Sequence, residues 1–159
     1  MNAIIREMRK EEYPLLETFL YEAIFQRDPE NLFPRDIIYK PELWVYIDRF
    51  GEMPDDLCLC AELDGKVVGA VWTRIIPAYG HLDDETPEFA ISLLPESRGL
   101  GIGTKLMQAM VEALRSRGYR RTSLAVQKDN YALRMYRKVG FEIIGENEEE
   151  YIMEYRFRH

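Results

Sequence analysis

Cysteine and histidine are scarce in this chain, and their scarcity argues against a metal centre. The 159 residues contain two cysteines, Cys58 and Cys60, and two histidines, His81 and His159. The cysteines are two positions apart on one face of an expected strand, where a good disulfide is hard to form. The histidines are distant in sequence, so a tetrahedral zinc site has no ligand set. We therefore expect no metal and two reduced thiols, as in a cytoplasmic protein.

Long apolar runs are also missing. No stretch reaches the roughly 20 residues that a membrane-spanning helix needs, and residues 1–7 lack the apolar region of a signal peptide. Acidic residues outnumber basic ones by 28 to 21, so the net charge is −7. A negative protein is a poor partner for nucleic acid or an anionic membrane. We expect neither partner, and a cytoplasmic location.

Hydrophobic residues make up 47% of the chain and aromatic residues 12%, which excludes a disordered protein. A length of 159 residues is enough to bury a core, and no repeat or linker divides it, so we expect one domain over residues 1–159. The periodicity predicts an α/β (α+β) protein. Strands are expected at 3–6, 57–63, 66–76, 88–94, 121–126, 141–144 and 151–157, and helices at 10–25, 41–50, 104–117 and after Asp129 or Asn130.

The most informative segment follows the apolar run at residues 89–94. It contains three closely spaced glycines, Gly99, Gly101 and Gly103, and leads into an amphipathic helical pattern. A strand should therefore end here, a glycine-rich turn should form, and a helix should begin. The free N–H groups of such a turn and the positive end of the helix dipole favour phosphate. Glycines let the ligand approach the backbone closely.

Two common phosphate-binding patterns do not fit this turn. A P-loop needs a glycine followed by lysine and then serine or threonine, but Gly103 is followed by Thr104 and Lys105 in the reverse order. A dinucleotide-binding fold needs an acidic residue about twenty positions further on, where this chain has Arg120 and Arg121. ATP and NAD are therefore disfavoured as ligands.

A third pattern fits. Arg98-x-x-Gly101-x-Gly103 resembles the pyrophosphate-binding signature of the GNAT acetyltransferase superfamily. Residues 130–141 resemble a second segment of that family, in which an asparagine, an alanine and a tyrosine precede Gly-Phe. This segment follows the apolar run at residues 124–126, in the strand–helix order of the family. The resemblance is close over residues 89–145 and rests on element order alone in the N-terminal half.

The resemblance implies a fold, an activity and a cosubstrate. It implies a mixed central sheet of six to seven strands flanked by about four helices, and an N-acetyltransferase that moves the acetyl group of acetyl-CoA to a primary amine without a metal. In the family the pyrophosphate lies on the glycine-rich turn and the pantetheine arm pairs with the central strand. The coenzyme-binding residues implied here are Ser92, Leu93, Arg98, Gly99, Leu100, Gly101, Ile102, Gly103, Thr104 and Asn130.

The resemblance also implies two catalytic residues. Tyr136 matches the family tyrosine that donates a proton to the departing thiolate. Glu88 opens the central strand, where related enzymes carry a carboxylate that takes the proton of the amine, sometimes through water. His81 and the acidic residues 83–85 lie in the preceding loop and stay open as alternatives that bind an ammonium group or face solvent.

The acceptor is not identified by the sequence. A small-molecule or peptide amine is expected, and a homodimer is possible. Trp44 and Tyr46 could line the acceptor pocket, but the simpler expectation is that Trp44 packs in the core and Tyr46 is half-exposed. A non-catalytic acyl-CoA-binding module with a regulatory role remains the alternative, although the retained Tyr136 argues against it.

Overall fold

The computed structural model describes residues 2–158; Met1 and His159, both considered above, lie outside the described residues. The backbone forms one seven-stranded mixed sheet with four α-helices, which confirms the predicted fold class. The strands are β1 Ile4–Glu7, β2 Leu57–Leu63, β3 Lys66–Arg74, β4 Glu88–Leu93, β5 Arg121–Gln127, β6 Glu142–Glu146 and β7 Glu150–Arg156. The helices are α1 Leu16–Ala23, α2 Pro41–Trp44, α3 Ile102–Ser116 and α4 Leu133–Val139, with 3₁₀ segments at Lys10–Leu15, Arg35–Tyr39 and Pro95–Ser97.

The strand order is β1-β2-β3-β4-β5-β7-β6, and every neighbouring pair except β4 and β5 is antiparallel. The β2–β3 hairpin turns at Asp64 and Gly65, whose φ angles are 53° and 80°. Two consecutive positive φ angles are typical of the tight turn that an Asp-Gly pair favours between antiparallel strands. The hairpin predicted from this dipeptide is therefore confirmed.

The parallel pair β4 and β5 is joined at one register position only, Glu88 opposite Ser123. Beyond that pair the two strands separate, although β4 keeps its full pairing with β3 on its other side. The free edge of β4 therefore has backbone groups without a strand partner in the part of the chain that the structure describes. Buried backbone groups need hydrogen-bond partners, so this edge is suited to an extended ligand.

The sheet separates two apolar clusters. One cluster holds α3, whose Leu106, Met107, Met110 and Leu114 are fully buried, as the helical spacing predicts. The other cluster holds α1 and packs on the opposite face of the sheet, around Trp72. Each face of the sheet is thus covered, which holds β4 and β5 between two layers of helices.

The two N-terminal helices are shorter than predicted. Residues 10–15 form a 3₁₀ segment that contains Pro14, and the α-helix begins only at Leu16. Proline has no N–H and disfavours an α conformation at the preceding residue. The second helix ends at Trp44, and Arg74 donates to the carbonyl groups of Val45 and Asp48 in the turns that follow, at 3.0 and 2.9 Å. Those carbonyls would otherwise accept helical N–H groups.

Among residues 2–158, no helix combines the length and the apolar character needed to cross a membrane. Over the same residues, no group of three or more His, Cys, Asp or Glu side chains is arranged to hold a metal ion. Cys58 and Cys60 are buried free thiols. Burial raises the pKa of Cys58 well above its ordinary value, so this thiol is not activated.

The ion pair between Arg6 on β1 and Glu12 predicts how the stability of the fold changes at acid pH. Arg6 donates to both carboxylate oxygens of Glu12, each at 2.9 Å, and this lowers the pKa of Glu12 to about 2. A carboxyl whose pKa falls on folding stabilises the fold above its ordinary pKa, and this stability is lost as the pH falls toward the lowered value. Glu12→Gln should lower the melting temperature by about 2–4 °C at pH 7, for roughly 1 kcal/mol.

The difference between Glu12→Gln and the parent should shrink as the pH falls from about 5 and be small near pH 2, where Glu12 is protonated in the unfolded state and about half protonated in the folded state. Glu11→Gln is the matched control, because Glu11 and its ion-pair partner Arg9, 3.4 Å away, are both exposed. It should leave the melting temperature within about 1 °C of the parent. A Glu12→Gln deficit that persists undiminished at pH 2 would contradict an electrostatic origin. The measurement is thermal unfolding by circular dichroism from pH 2 to 7.

Candidate active site

A cleft of about 880 Å³ opens where β4 and β5 separate, between α3 on one side and α4 on the other. Eight of the ten residues predicted to bind coenzyme line this cleft, together with Tyr136. The eight are Ser92, Leu93, Arg98, Gly99, Gly101, Gly103, Thr104 and Asn130. The remaining two do not line it: Leu100 is 65% exposed, and the Ile102 side chain is buried in the α3 cluster. Only the backbone of Ile102 can face a ligand.

The glycines of the turn have two separate roles. Gly99 and Gly101 adopt φ angles of 77° and 83°, which ordinary side chains rarely adopt, and the space around them is open. Gly103 has no such angle, but a Cβ there would lie 3.2 Å from the sulfur of Met135 on α4. The first two glycines shape the turn, and the third lets α3 and α4 pack closely. The first turn of the 15-residue α3 lines the cleft at Gly103 and Thr104, and the first N–H groups of a helix have no partner within the helix.

Arg98 is held at the mouth of the cleft by an acidic residue that the sequence did not single out. Its guanidinium donates to the Leu93 carbonyl at 3.3 Å and to a Glu22 carboxylate oxygen at 3.2 Å. Glu22 also lines the cleft and has Arg35 3.9 Å away. The phosphate contact of Arg98 stays a prediction, and an arriving phosphate would compete with Glu22 for it.

Ser92 and Asn130 are both engaged within the protein. The Ser92 hydroxyl donates to the Phe19 carbonyl at 2.6 Å, which ties β4 to α1. The Asn130 side-chain oxygen accepts from the Ala132 N–H at 2.9 Å and shapes the turn before α4. Any contribution of Ser92 to a ligand must therefore come from its backbone, as the sequence predicts.

The loop after α1 is joined to the far side of the cleft by Arg27. Its guanidinium donates to both oxygens of Asp129, at 2.6 and 2.9 Å, and to the Gln127 side chain at 2.9 Å. These partners are about a hundred positions apart in sequence and belong to no motif. No sequence pattern indicates this connection, which only the packing of the loop against the end of β5 creates.

Tyr136 lines the cleft and keeps its hydroxyl proton at neutral pH. The ring lines the cleft and packs against Phe141, with 6.2 Å between ring centroids. Its hydroxyl has no hydrogen-bond partner among residues 2–158. Burial raises the pKa of Tyr136 to about 12. The hydroxyl therefore keeps its proton at neutral pH, which is the state a proton donor requires.

Glu88 lies at the point where β4 and β5 part, does not itself line the cleft, and is only 2% exposed. Its Oε2 atom accepts hydrogen bonds from the Tyr46 hydroxyl and from the Gly80 N–H, the latter at 3.0 Å. Its Oε1 atom is buried without a partner in the described part of the chain. Burial raises the pKa of Glu88, against the opposing effect of the two hydrogen bonds. A carboxylate in such surroundings is a better base at neutral pH than an exposed one.

Gly80 allows the loop before β4 to reach this position. A Cβ on Gly80 would lie 2.9 Å from the backbone of Leu124 on β5, which is too close for any side chain. Its carbonyl accepts from the Ser123 hydroxyl at 2.7 Å, while its N–H serves Glu88. The sequence shows only a glycine in a loop, and the close approach to β5 cannot be recognised from it.

The model of the acetyltransferase (GNAT) family matches residues 20–141, about three quarters of the chain. The chain belongs to the GNAT family. A mycothiol acetyltransferase of Saccharomonospora viridis is 34% identical over 94 residues, covering 57% of this chain and 31% of that protein. A probable N-acetyltransferase camello of Xenopus tropicalis is 36% identical over 98 residues, covering 60% and 43%. The chain therefore spans less than half the length of these curated relatives.

Solved structures show the same GNAT fold over nearly the whole chain. The PaiA N-acetyltransferase of Thermoplasma acidophilum, solved with coenzyme A, has a TM-score of 0.72 at 23% identity, covering 99% of this chain and all of that one. A GNAT acetyltransferase of Streptococcus pneumoniae has a TM-score of 0.70 at 22% identity with the same coverage. At these identities the likeness concerns the fold alone. The predicted GNAT membership and the predicted GNAT fold are both confirmed.

The acidic residues before β4 lie apart from the GNAT cleft. Asp83 and Asp84 line a separate cavity of about 610 Å³ with Arg121. Arg121 donates to Asp83 at 2.8 Å and holds the pKa of that carboxyl well below its usual range. The His81 ring lies 3.8 Å from Asp84 and 2.9 Å from the Ile76 carbonyl. The Asp83 charge is thus balanced by an arginine and is not free for an ammonium group.

Proposed function

We propose that this GNAT acetyltransferase moves the acetyl group of acetyl-CoA directly to the primary amine of a small-molecule or peptide acceptor. The observation that carries the proposal is the cleft between β4 and β5, which joins the glycine-rich turn at one end to the Tyr136 hydroxyl inside it. A phosphate-binding turn and a proton donor in the same cleft are what transfer from a coenzyme A thioester requires. Family membership and a coenzyme A-bound structural neighbour support the choice of coenzyme.

The coenzyme would lie along the cleft in an extended form. Its pyrophosphate would accept hydrogen bonds from the N–H groups at the start of α3, where the helix dipole favours an anion. Its pantetheine arm would pair with the free edge of β4 at Ser92 and Leu93, in place of the missing strand contacts with β5. Asn130 lines the opposite wall beside Tyr136. Each group of the coenzyme thus meets a backbone or side chain suited to it.

The reaction needs two proton transfers from nitrogen and one to sulfur. An alkyl amine is mostly protonated at neutral pH, with a pKa near 10.4, so one proton must be removed before nitrogen can attack. Glu88 takes this proton, directly or through a water molecule. The nitrogen bonds to the thioester carbon, the carbon–sulfur bond breaks, and Tyr136 gives its proton to the sulfur. The second nitrogen proton then passes through water to the Tyr136 oxygen, so the tyrosine is neutral again. Coenzyme A leaves as a thiol and the amine becomes an amide.

Acetyl-CoA should raise the melting temperature by about 5–10 °C when it is present at about a hundred times its dissociation constant, which corresponds to roughly 2.7 kcal/mol. Gly101→Glu should abolish this shift, because it places an anion where the pyrophosphate would lie. Gly118→Glu is the matched control. The φ angle of Gly118 is 85° and that of Gly101 is 83°, and a Cβ added at either position would have no neighbouring atom within 4 Å. Gly118 lies just beyond the C-terminal end of α3, away from the turn. Both variants carry the same backbone strain, so only Gly101→Glu should lose the ligand effect.

Stabilisation by NAD or ATP with none by acetyl-CoA would contradict the proposed coenzyme. A screen of primary amines, with detection of the released thiol, then identifies the acceptor. Binding of acetyl-CoA without thiol release from any amine would favour a regulatory acyl-CoA-binding module instead. A homodimer and a single domain over residues 1–159 stay predictions, to be checked by light scattering and limited proteolysis.

A further inference from the structure

We propose that Tyr46 is a positioning residue for the base: its hydroxyl holds Oε2 of Glu88, so that Oε1 alone is left to take the proton of the amine. The inference rests on the proposed role of Glu88. It assigns a function to a residue of the N-terminal segment that the sequence predicted to be half-exposed. The two side chains are 42 positions apart, and no motif connects them.

The hydrogen bonds of Glu88 are distributed unevenly over its two oxygens. Both donors, the Tyr46 hydroxyl and the Gly80 N–H, bind Oε2 and come from different segments of the chain. Oε1 has none, although it is buried. A buried carboxylate oxygen without a donor is costly and rare in folded proteins. Two donors on one oxygen prevent the carboxylate from rotating to relieve that cost, and they leave Oε1 as its proton acceptor.

The position of Tyr46 is itself set by buried groups of β3. The indole N–H of Trp72 donates to the Tyr46 carbonyl at 3.1 Å, and Arg74 donates to the Val45 carbonyl at 3.0 Å. Arg74 is in turn fixed by Asp56, with two hydrogen bonds of 3.0 and 2.9 Å between nearly inaccessible side chains. Arg74 stands opposite the base in the β3–β4 register. The backbone that carries Tyr46 is therefore anchored to the strand next to the base.

Burial, hydrogen bonds and nearby charges act in opposing directions on the pKa of Glu88. Burial raises its pKa first of all, and the negative charge of Glu150 on β7 adds to that effect. The hydrogen bonds from Tyr46 and Gly80, and the nearby His81, act in the opposite direction. Removal of the Tyr46 hydroxyl takes away a donor that favours the ionised form. The pKa of Glu88 should therefore rise in Tyr46→Phe.

The first test follows the ionisation of Glu88 without any ligand. Carbon-13 NMR of labelled glutamate carboxyls is recorded from pH 3 to 9, and the Glu88 signal is identified by its loss in Glu88→Gln. In Tyr46→Phe the titration midpoint should move up by about one pH unit or more, as expected for a hydrogen bond to a charged group. Tyr79→Phe is the matched control, because Tyr79 is nearby and 49% exposed, with no hydrogen bond from its hydroxyl to Glu88. The Glu88 titration midpoint in Tyr79→Phe should equal that of the parent.

The second test asks whether Tyr46 acts through Glu88 during turnover. With the amine that gives the fastest thiol release in the screen, the acid limb of kcat/KM should move up in Tyr46→Phe by the same amount as the NMR midpoint. The double variant Tyr46→Phe/Glu88→Gln should be no slower than Glu88→Gln alone, since the base on which Tyr46 acts is already gone. If Tyr46 had only a structural role, Tyr46→Phe would lower the rate of both the parent and Glu88→Gln. It would then change neither the NMR midpoint of Glu88 nor the acid limb of kcat/KM.

An unmoved midpoint in Tyr46→Phe overturns the inference, and so does a further loss of rate in the double variant. If the midpoint moves while the acid limb survives in Glu88→Gln, Glu88 is not the base: the proposed catalytic role fails, and the positioning role fails with it. If Tyr46→Phe does not fold, a ring-fluorinated tyrosine at position 46 replaces it. Its more acidic hydroxyl is a stronger donor, so the midpoint should move down, and a midpoint that does not move overturns the inference.

Discussion

Tyr136→Phe is expected to lower kcat by about 10²- to 10⁴-fold, the usual loss when a general acid is removed. The substitution keeps the ring that lines the cleft and packs on Phe141 and removes only the proton donor. The dissociation constant of acetyl-CoA should therefore stay within a few-fold of the parent. Steady-state kinetics with the identified amine measures kcat, and calorimetry measures binding. Since the pKa of Tyr136 is about 12, its ionisation should produce no loss of parent activity below about pH 10.

Tyr155→Phe is the matched control for this variant. Tyr155 packs against the same Phe141, with 5.6 Å between ring centroids, but it lies outside the cleft lining. The Tyr155→Phe variant should turn over at nearly the parental rate if the loss of activity in Tyr136→Phe comes from the hydroxyl in the cleft and not from a changed packing around Phe141. Turnover of Tyr136→Phe within twofold of the parent, with chemistry rate-limiting, would make Tyr136 a packing residue and require another proton donor.

Glu88→Gln is expected to reduce kcat/KM by about 10²- to 10⁴-fold and to remove the acid limb of its pH profile. Glutamine is nearly the same size and can still accept from one of the present donors, Tyr46 or Gly80, but it cannot take a proton at neutral pH. What remains of the profile should follow the ionisation of the amine itself. The measurement is kcat/KM from about pH 5 to 10 with the amine identified in the screen.

The stability of Glu88→Gln separates loss of chemistry from loss of folding. A carboxyl whose pKa is raised by burial destabilises the fold as the pH rises from its ordinary pKa through the raised value, and the full cost remains above it. Removing the charge removes that cost. The variant should therefore melt no lower than the parent at pH 7, a pattern typical of residues that serve activity at the expense of stability.

Glu85→Gln is the charge control for Glu88→Gln, since it removes one negative charge from the exposed part of the same loop. It should leave the acid limb in place. A Glu88→Gln variant with normal kcat and only a raised KM would mean that Glu88 attracts the ammonium group and does not remove its proton. A variant with parental kinetics would place Glu88 outside the reaction.

The glycine-rich turn could be predicted because the interactions that form it are local. Positive φ angles at Gly99 and Gly101 select glycine, and a helix N-terminus follows within a few residues, so one short segment encodes the whole turn. The Asp64-Gly65 hairpin and the buried face of α3 are similar cases. In each, the residues that decide the structure are close together in sequence, and their pattern is visible without the rest of the chain.

The surroundings of Glu88 could not be predicted from local sequence. Glu88 could be placed at the start of β4, but the sequence did not show that Tyr46 and Gly80 would hold one of its oxygens, or that its other oxygen would be buried alone. Helix periodicity also predicted that residues 41–50 form one helix. The chain instead leaves the helix after Trp44, and the buried guanidinium of Arg74 binds the Val45 and Asp48 carbonyls on either side of Tyr46, a contact that the sequence does not show.

The sequence by itself thus determined the order of strands and helices along the chain, the glycine-rich turn and a tyrosine, Tyr136, that lines the cleft. The tertiary structure alone decided how Glu22 restrains Arg98, how Arg27 joins the α1 loop to Asp129, and how Tyr46 reaches Glu88. The physical reason is distance along the chain. Backbone preferences act over a few residues, whereas these contacts join positions 42 to 102 apart and exist only once the two apolar clusters have closed on the sheet.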